Sequence, residues 1–150
     1  MNAHPLGKID EVLEEFAELE PRERLEALLD YSDHIPPLPQ RYQAEKAAGL
    51  HRVHECQTPV YLWVNVVDGK VEIHGDVAPE APTVKGFVAL LIAAFSGSTP
   101  SEVLATPNDL LQRLGLIEAL GMTRTRGLYA ILHRIREEVR RAVASGATVV

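Results

Sequence analysis

Apolar residues recur at helical spacing early in the chain, at Ile9, Val12, Leu13, Phe16 and Leu19, and predict a first amphipathic helix. Pro21 suits the first turn of a second helix, with Leu25, Leu28 and Leu29 as its inward positions. The prolines at 36, 37 and 39 end that helix, because proline offers no N–H and restricts the residue before it. Residues 36–59 then form a long connection with one weak helical stretch near Gln43–Ala48. A connection of that length is usually functional or disordered.

The period then changes from helical to alternating. VYLWVNVV (60–67) is rich in β-branched and aromatic residues, and KVEIHGD (70–76) follows after Asp68-Gly69. Asp-Gly is the signature of a two-residue primed turn, and a two-residue loop fixes the hairpin register. Val67 should face Lys70, Val66 face Val71 and Val64 face Ile73. Val60, Leu62, Val64, Val66, Val71 and Ile73 then share one apolar face, while Trp63 and His74 meet on the other. His74 reads as a cross-strand packing residue rather than a ligand.

PTVKGFVALLIAAF (82–95) is apolar nearly all round, the pattern of a buried helix, and Val64 and Ile73 are expected against it. Gly86 inside it implies a close backbone approach. Ser98 or Thr99 should cap a short helix beginning Pro100-Ser101-Glu102, and Asn108–Leu114 should form another, stopped at Gly115. The last helix is expected from near Thr123 as N-cap, with Leu128, Ile131, Leu132, Ile135, Val139 and Val143 inward. The tail at 145–150 reads as frayed. The pattern predicts one α+β domain over residues 1–150, a small antiparallel sheet packed by helices.

Composition narrows the function classes. The 150 residues carry 15 basic and 21 acidic side chains, a net −6, which argues against a general nucleic-acid binder. No apolar run reaches the roughly 20 residues of a membrane span, and the N-terminal sequence lacks a signal-peptide pattern. With one cysteine there is no internal disulfide, and a cytoplasmic location is expected. Charge is skewed: residues 1–33 hold ten acids and three bases, residues 124–141 six arginines and two glutamates. Such runs are either solvated helix faces or a docking surface for a protein partner.

The lone cysteine is the main candidate for chemistry. Cys56 lies before the first strand among Arg52, His54, Glu55, Gln57 and Thr58, and this polar setting argues against simple burial. Arg52 or a protonated His54 would favour its thiolate, and Glu55 would oppose it. His51, His54 and Cys56 also permit a zinc reading, though their spacing fits no standard structural site. A cysteine catalyst would need a base, for which His34, His51, His54, His74 and His133 are available. No phosphate-binding glycine loop occurs.

Taken in order, several short blocks resemble the SufE family of cysteine desulfuration proteins. Cys56-Gln57-Thr58 with Val60-Tyr61-Leu62 is similar to the family's cysteine core. Gly75-Asp76, Val84-Lys85-Gly86, Ser96-Gly97 and Thr99-Pro100 follow, and Thr123-Arg124-Thr125 with Gly127-Leu128 resembles its S-R-S-x-G-L block. The resemblance spans about residues 9–141. Glu55 stands where the family usually has glycine, Pro59 departs from its pattern, and the stretch 77–81 is longer.

The resemblance implies a fold shared with iron–sulfur scaffold proteins. It implies a sulfur carrier rather than a free-standing enzyme: Cys56 would take persulfide sulfur from a PLP-dependent, SufS-like cysteine desulfurase and stimulate it. The sulfur would pass to iron–sulfur cluster assembly on a SufBCD-like complex. PLP would belong to the partner, and this chain would hold no cofactor or metal. Arg124, Gln57, Asp76 and Lys85 would bind the partner or support the cysteine loop. Neither nucleic acid nor membrane is implied, and monomer and homodimer both stay open. The competing reading is a metal-binding or scaffold-like module using His51, His54 and Cys56. A cluster scaffold would need about three cysteine-like ligands, and one cysteine argues against it.

Overall fold

Asp68 (φ 53°) and Gly69 (φ 75°) both adopt left-handed backbone, as a type I′ turn requires. In the computed structural model, which describes residues 8–146, this turn joins β1 (Val60–Val67) to β2 (Lys70–Val77). The register is the one the turn dictates: Val67 opposite Lys70, Val64 opposite Ile73 and Trp63 opposite His74. A single bridge from Arg52 to Tyr61 extends the two-stranded sheet beside β1.

Helices complete the chain: α1 (Lys8–Ala17), α2 (Pro21–Asp33), α3 (Gln43–Ala47), α4 (Pro82–Phe95), α5 (Pro100–Leu104), α6 (Leu110–Arg113), α7 (Leu116–Leu120) and α8 (Met122–Ala144). A 3-10 turn at Gln40–Tyr42 leads into α3. Ile9, Val12 and Phe16 are the buried residues of α1, as their spacing predicts. The buried α4 lies between α2 and β2. Gly86 makes the first of these contacts possible, since a Cβ there would sit 2.0 Å from the Leu28 carbonyl oxygen. Thr99 caps α5 in a reciprocal box with Glu102. One continuous core runs from Ile9 and Phe16 through β1, β2 and α4 to Val139 of α8.

Three expectations change and one is refined. Leu29 is 44% exposed, because α2 turns only Leu28 and Ser32 fully inward. Thr123 does not cap α8: Gly121 (φ 84°) precedes Met122, and Thr123 falls inside the first turn. The sheet is packed by helices as expected, and two share it, β2 against α4 and β1 against α8. A further short helix, α7, follows Gly115 (φ 71°). Of the tail, Ser145 and Gly146 form a turn, and 147–150 lie outside the described residues.

The second face of the hairpin is covered rather than solvated. Trp63 is only 2% exposed. Tyr42 stacks on it at 5.0 Å and His51 at 5.1 Å between ring centroids, both from the 36–59 connection. Its indole N–H donates to Glu45 Oε1 at 2.9 Å, and Asn65 Nδ2 donates to the Tyr42 hydroxyl at 3.1 Å. The long connection therefore serves as a lid on the sheet. Among the described residues, no helix is long and apolar enough to cross a membrane.

Candidate functional site

The connection closes on β1 through a small loop. Val53 N–H donates to the Val60 carbonyl at 2.8 Å and Leu62 N–H to the His51 carbonyl at 3.0 Å. Arg134 of α8 holds the Arg52 carbonyl at 3.2 Å. Within this clamp Cys56 N–H bonds back to the Val53 carbonyl at 3.2 Å, and this tight turn sends the Val53 and Cys56 side chains inward. Cys56 is 6% exposed while His54, Glu55 and Gln57 face solvent. The polar neighbours thus do not keep the thiol at the surface: the turn, rather than the composition, decides its direction.

The thiol donates to the Gly127 carbonyl of α8 at 3.5 Å. Burial pushes its pKa up to about 11, and the Glu55 carboxylate adds to the shift. Neither Arg52 nor His54 acts on it, contrary to the expectation that one of them would favour the thiolate. The resting cysteine is a protected, protonated thiol.

Around it lies a cleft of about 570 Å³ at the open end of the sheet. One wall is the loop itself, at Glu55–Thr58, with Glu80 beyond it. The others are the N-terminal turns of α4 (Pro82–Val84) and α8 (Thr123 to Leu128). Neither helix has an acid in its first turn, so both present the positive ends of their dipoles. Arg124 and Arg126 line the cleft and are exposed, and neither makes an ion pair among the described residues. The other arginines of α8 are engaged. Arg134, Arg140 and Arg141 pair with Glu137 or Glu138, and the buried Arg136 donates to Asn108 Oδ1 at 2.6 Å. The arginine run therefore resolves into an engaged C-terminal half and, at the cleft, two arginines without an ion pair among the described residues.

Gln57 and Arg124 meet Cys56 at this cleft, whereas Asp76 and Lys85 do not line it. Asp76 is tied to Lys46 at 2.6 Å, pinning β2 to α3, and Lys85 lies one residue beyond the lining part of α4. Arg126 also lines the cleft, a position the motif blocks do not single out. Its signal was two cations flanking Thr125 in a helical first turn, where cations are disfavoured.

The other sequence readings lack their geometry. His51 is stacked on Trp63, with Nε2 3.7 Å from Glu45 Oε2, and His54 is exposed, so the H-x2-H-x-C residues are not gathered. Among the described residues, no group of three His, Cys, Asp or Glu side chains could hold a metal. Among the described residues, no histidine lines the cleft to serve as base for Cys56.

The SufE family, described as an Fe-S metabolism associated domain, matches residues 10–139. An uncharacterized SufE-like protein of Mycobacterium tuberculosis is 36% identical over 133 residues, covering 88% of this chain and 91% of that one. The sulfur acceptor protein CsdE of Escherichia coli is 34% identical over 105 residues, 67% of this chain and 66% of its own length. The solution structure of a hypothetical protein from Thermus thermophilus superposes with a TM-score of 0.79 at 39% identity. The match covers 91% of this chain and 96% of that one. With most of its length matched and its lone cysteine set at the end of an α+β core, the chain belongs to the SufE family.

Proposed function

We propose that this protein accepts sulfane sulfur on Cys56 from a PLP-dependent cysteine desulfurase and carries it toward iron–sulfur cluster assembly. PLP and the C–S cleavage belong to the desulfurase, and this chain is a covalent carrier that stimulates it, working in the cytoplasm. The observation that carries the reading is a single buried thiol at a cleft that two exposed arginines, Arg124 and Arg126, also line.

The step requires one thiolate and a path to it. Cys56 leaves the Gly127 carbonyl, loses its proton in water and attacks the outer sulfur of the desulfurase persulfide. A new S–S bond forms to Cys56, the partner's S–S bond breaks, and the partner's cysteine departs as thiolate. Access controls the rate, because the resting thiol is both buried and held protonated. Arg124, Arg126 and the two helix N-termini favour the approach of an anionic persulfide, while Glu55 and Glu80 on the loop side oppose it. Gln57 moves with the loop, while Asp76 and Lys85 support the surrounding fold.

The test is intact-mass analysis after mixing the protein with a cysteine desulfurase, PLP and cysteine. The parent should gain one sulfur atom at Cys56. Cys56→Ser should fold, gain none and fail to stimulate cysteine turnover. Equal stimulation by Cys56→Ser would end the carrier reading.

A further inference from the structure

Four exposed charges line the cleft at Cys56, and they are divided by sign: Glu55 and Glu80 on the loop side, Arg124 and Arg126 at the start of α8. Among the described residues none of the four makes an ion pair, with one another or with any neighbour. Elsewhere on the surface opposite charges do find each other, as Arg22 with Glu26 and Arg113 with Asp109. Two carboxylates and two guanidiniums sum to zero, so the cleft has no net charge with which to draw a partner in. What the separation supplies is direction. A complementary surface fits only with its acids toward α8 and its bases toward the loop.

The sulfur that arrives is anionic, and Glu55 adjoins the thiol that receives it. A donor whose persulfide came bare would meet that carboxylate as a repulsion at the point of transfer. A lysine or arginine carried beside the persulfide would convert the repulsion into a charge-assisted pair. The same pairing would take from Cys56 part of the charge that opposes its thiolate. We infer that Glu55 and Glu80 are specificity-determining residues that read a basic side chain beside the donor's persulfide, so that a desulfurase with a base at that place is admitted and one with an acid there is turned away. This rests on the reading of Cys56 as sulfur acceptor and adds the chemistry of the partner surface on the side away from the arginines.

The experiment compares the parent with Glu55→Lys against two sulfur donors. One is the desulfurase that loads the parent, supplied with PLP and cysteine. The other is inorganic tetrasulfide, which brings no protein surface: the Cys56 thiolate attacks a terminal sulfur, the new S–S bond forms to Cys56, and a trisulfide dianion leaves. With the desulfurase, the carrier concentration giving half-maximal stimulation should rise about tenfold or more at low salt, with kcat little changed. The difference should shrink at high salt, and Glu80→Lys should move the same way. With tetrasulfide, loading followed by intact mass should be as fast in the variant or faster, because a dianion no longer meets the carboxylate. Equal or tighter half-saturation by Glu55→Lys overturns the inference. Slower loading from both donors, or a lowered thermal midpoint, also overturns it, because Glu55 would then be holding the loop rather than reading a partner. A parent that loads from tetrasulfide but from no desulfurase would instead end the acceptor reading.

Discussion

A thiol with a pKa pushed up to about 11 keeps its proton at neutral pH, and this shapes both stability and reactivity. The folded chain favours the protonated form, whereas the unfolded chain releases its proton near the ordinary cysteine value of 9.0. Stability from this residue is therefore full below pH 9.0 and falls as pH climbs through about 11. Parent and Cys56→Ser should converge in relative stability at neutral pH and diverge in slope across that window, read from denaturation midpoints at stepped pH. Glu55 contributes the smaller part of the shift, so Glu55→Gln should lower the pH at which iodoacetamide reacts with the lone thiol. An unmoved alkylation profile would mean that desolvation acts alone. Glutamate beside the cysteine thus deepens the resting state, a consequence of one exposed side chain that the family's more usual glycine would not produce.

At the scale of elements, the helix pair α2–α4 depends on one absent side chain. Gly86→Ala would place a methyl carbon 2.0 Å from the Leu28 backbone oxygen, and backbone cannot step aside as a side-chain tip can. The expected cost is about 3 kcal/mol or more, read as a lowered denaturant midpoint with unchanged slope. A midpoint equal to the parent's would show that the helices can part without loss. This glycine and the hairpin were legible because each rests on local backbone rules: the Asp68-Gly69 turn fixes a register, and a helical glycine marks a close approach. What stayed hidden depends on distant partners. Leu29 has the right spacing for the core but no element above it. Trp63 reads as the exposed side of an alternating strand until Tyr42 and His51 are folded onto it. The burial of Cys56 was masked by its polar neighbours, since a turn at Val53–Cys56 reverses direction faster than composition can signal. The SufE-like blocks were legible in order and spacing, while Arg126 emerged only when α8 was set beside the loop.

For the whole molecule, the uneven charge separates into parts with different work. In the C-terminal half of α8, Glu137 and Glu138 pair with Arg134, Arg140 and Arg141, whereas Arg124 and Arg126 at the cleft make no ion pair among the described residues, which fits the proposed docking of a partner there. Arg124→Ala should weaken the desulfurase complex by about 1.5–3 kcal/mol if the arginine makes a charge-assisted contact, roughly a tenfold to hundredfold loss of affinity. The thermal midpoint should hardly move, because the side chain is exposed and its charge opposes the helix dipole. Titration at two salt concentrations checks this: the difference should shrink at high salt. Equal affinity and equal stimulation would remove Arg124 from the interface. The clamp at the base of the cysteine loop has its own geometric result. Val53 and Val60 are fastened to each other, and Cys56 stands three residues from the nearer anchor. Three residues of fully extended chain reach at most about 10 Å. The thiol is therefore on a short tether rather than a swinging arm. On the proposed reading, a donor has to carry its sulfur to within that radius of the sheet's open end, and a persulfide seated deeper in its own protein lies beyond reach.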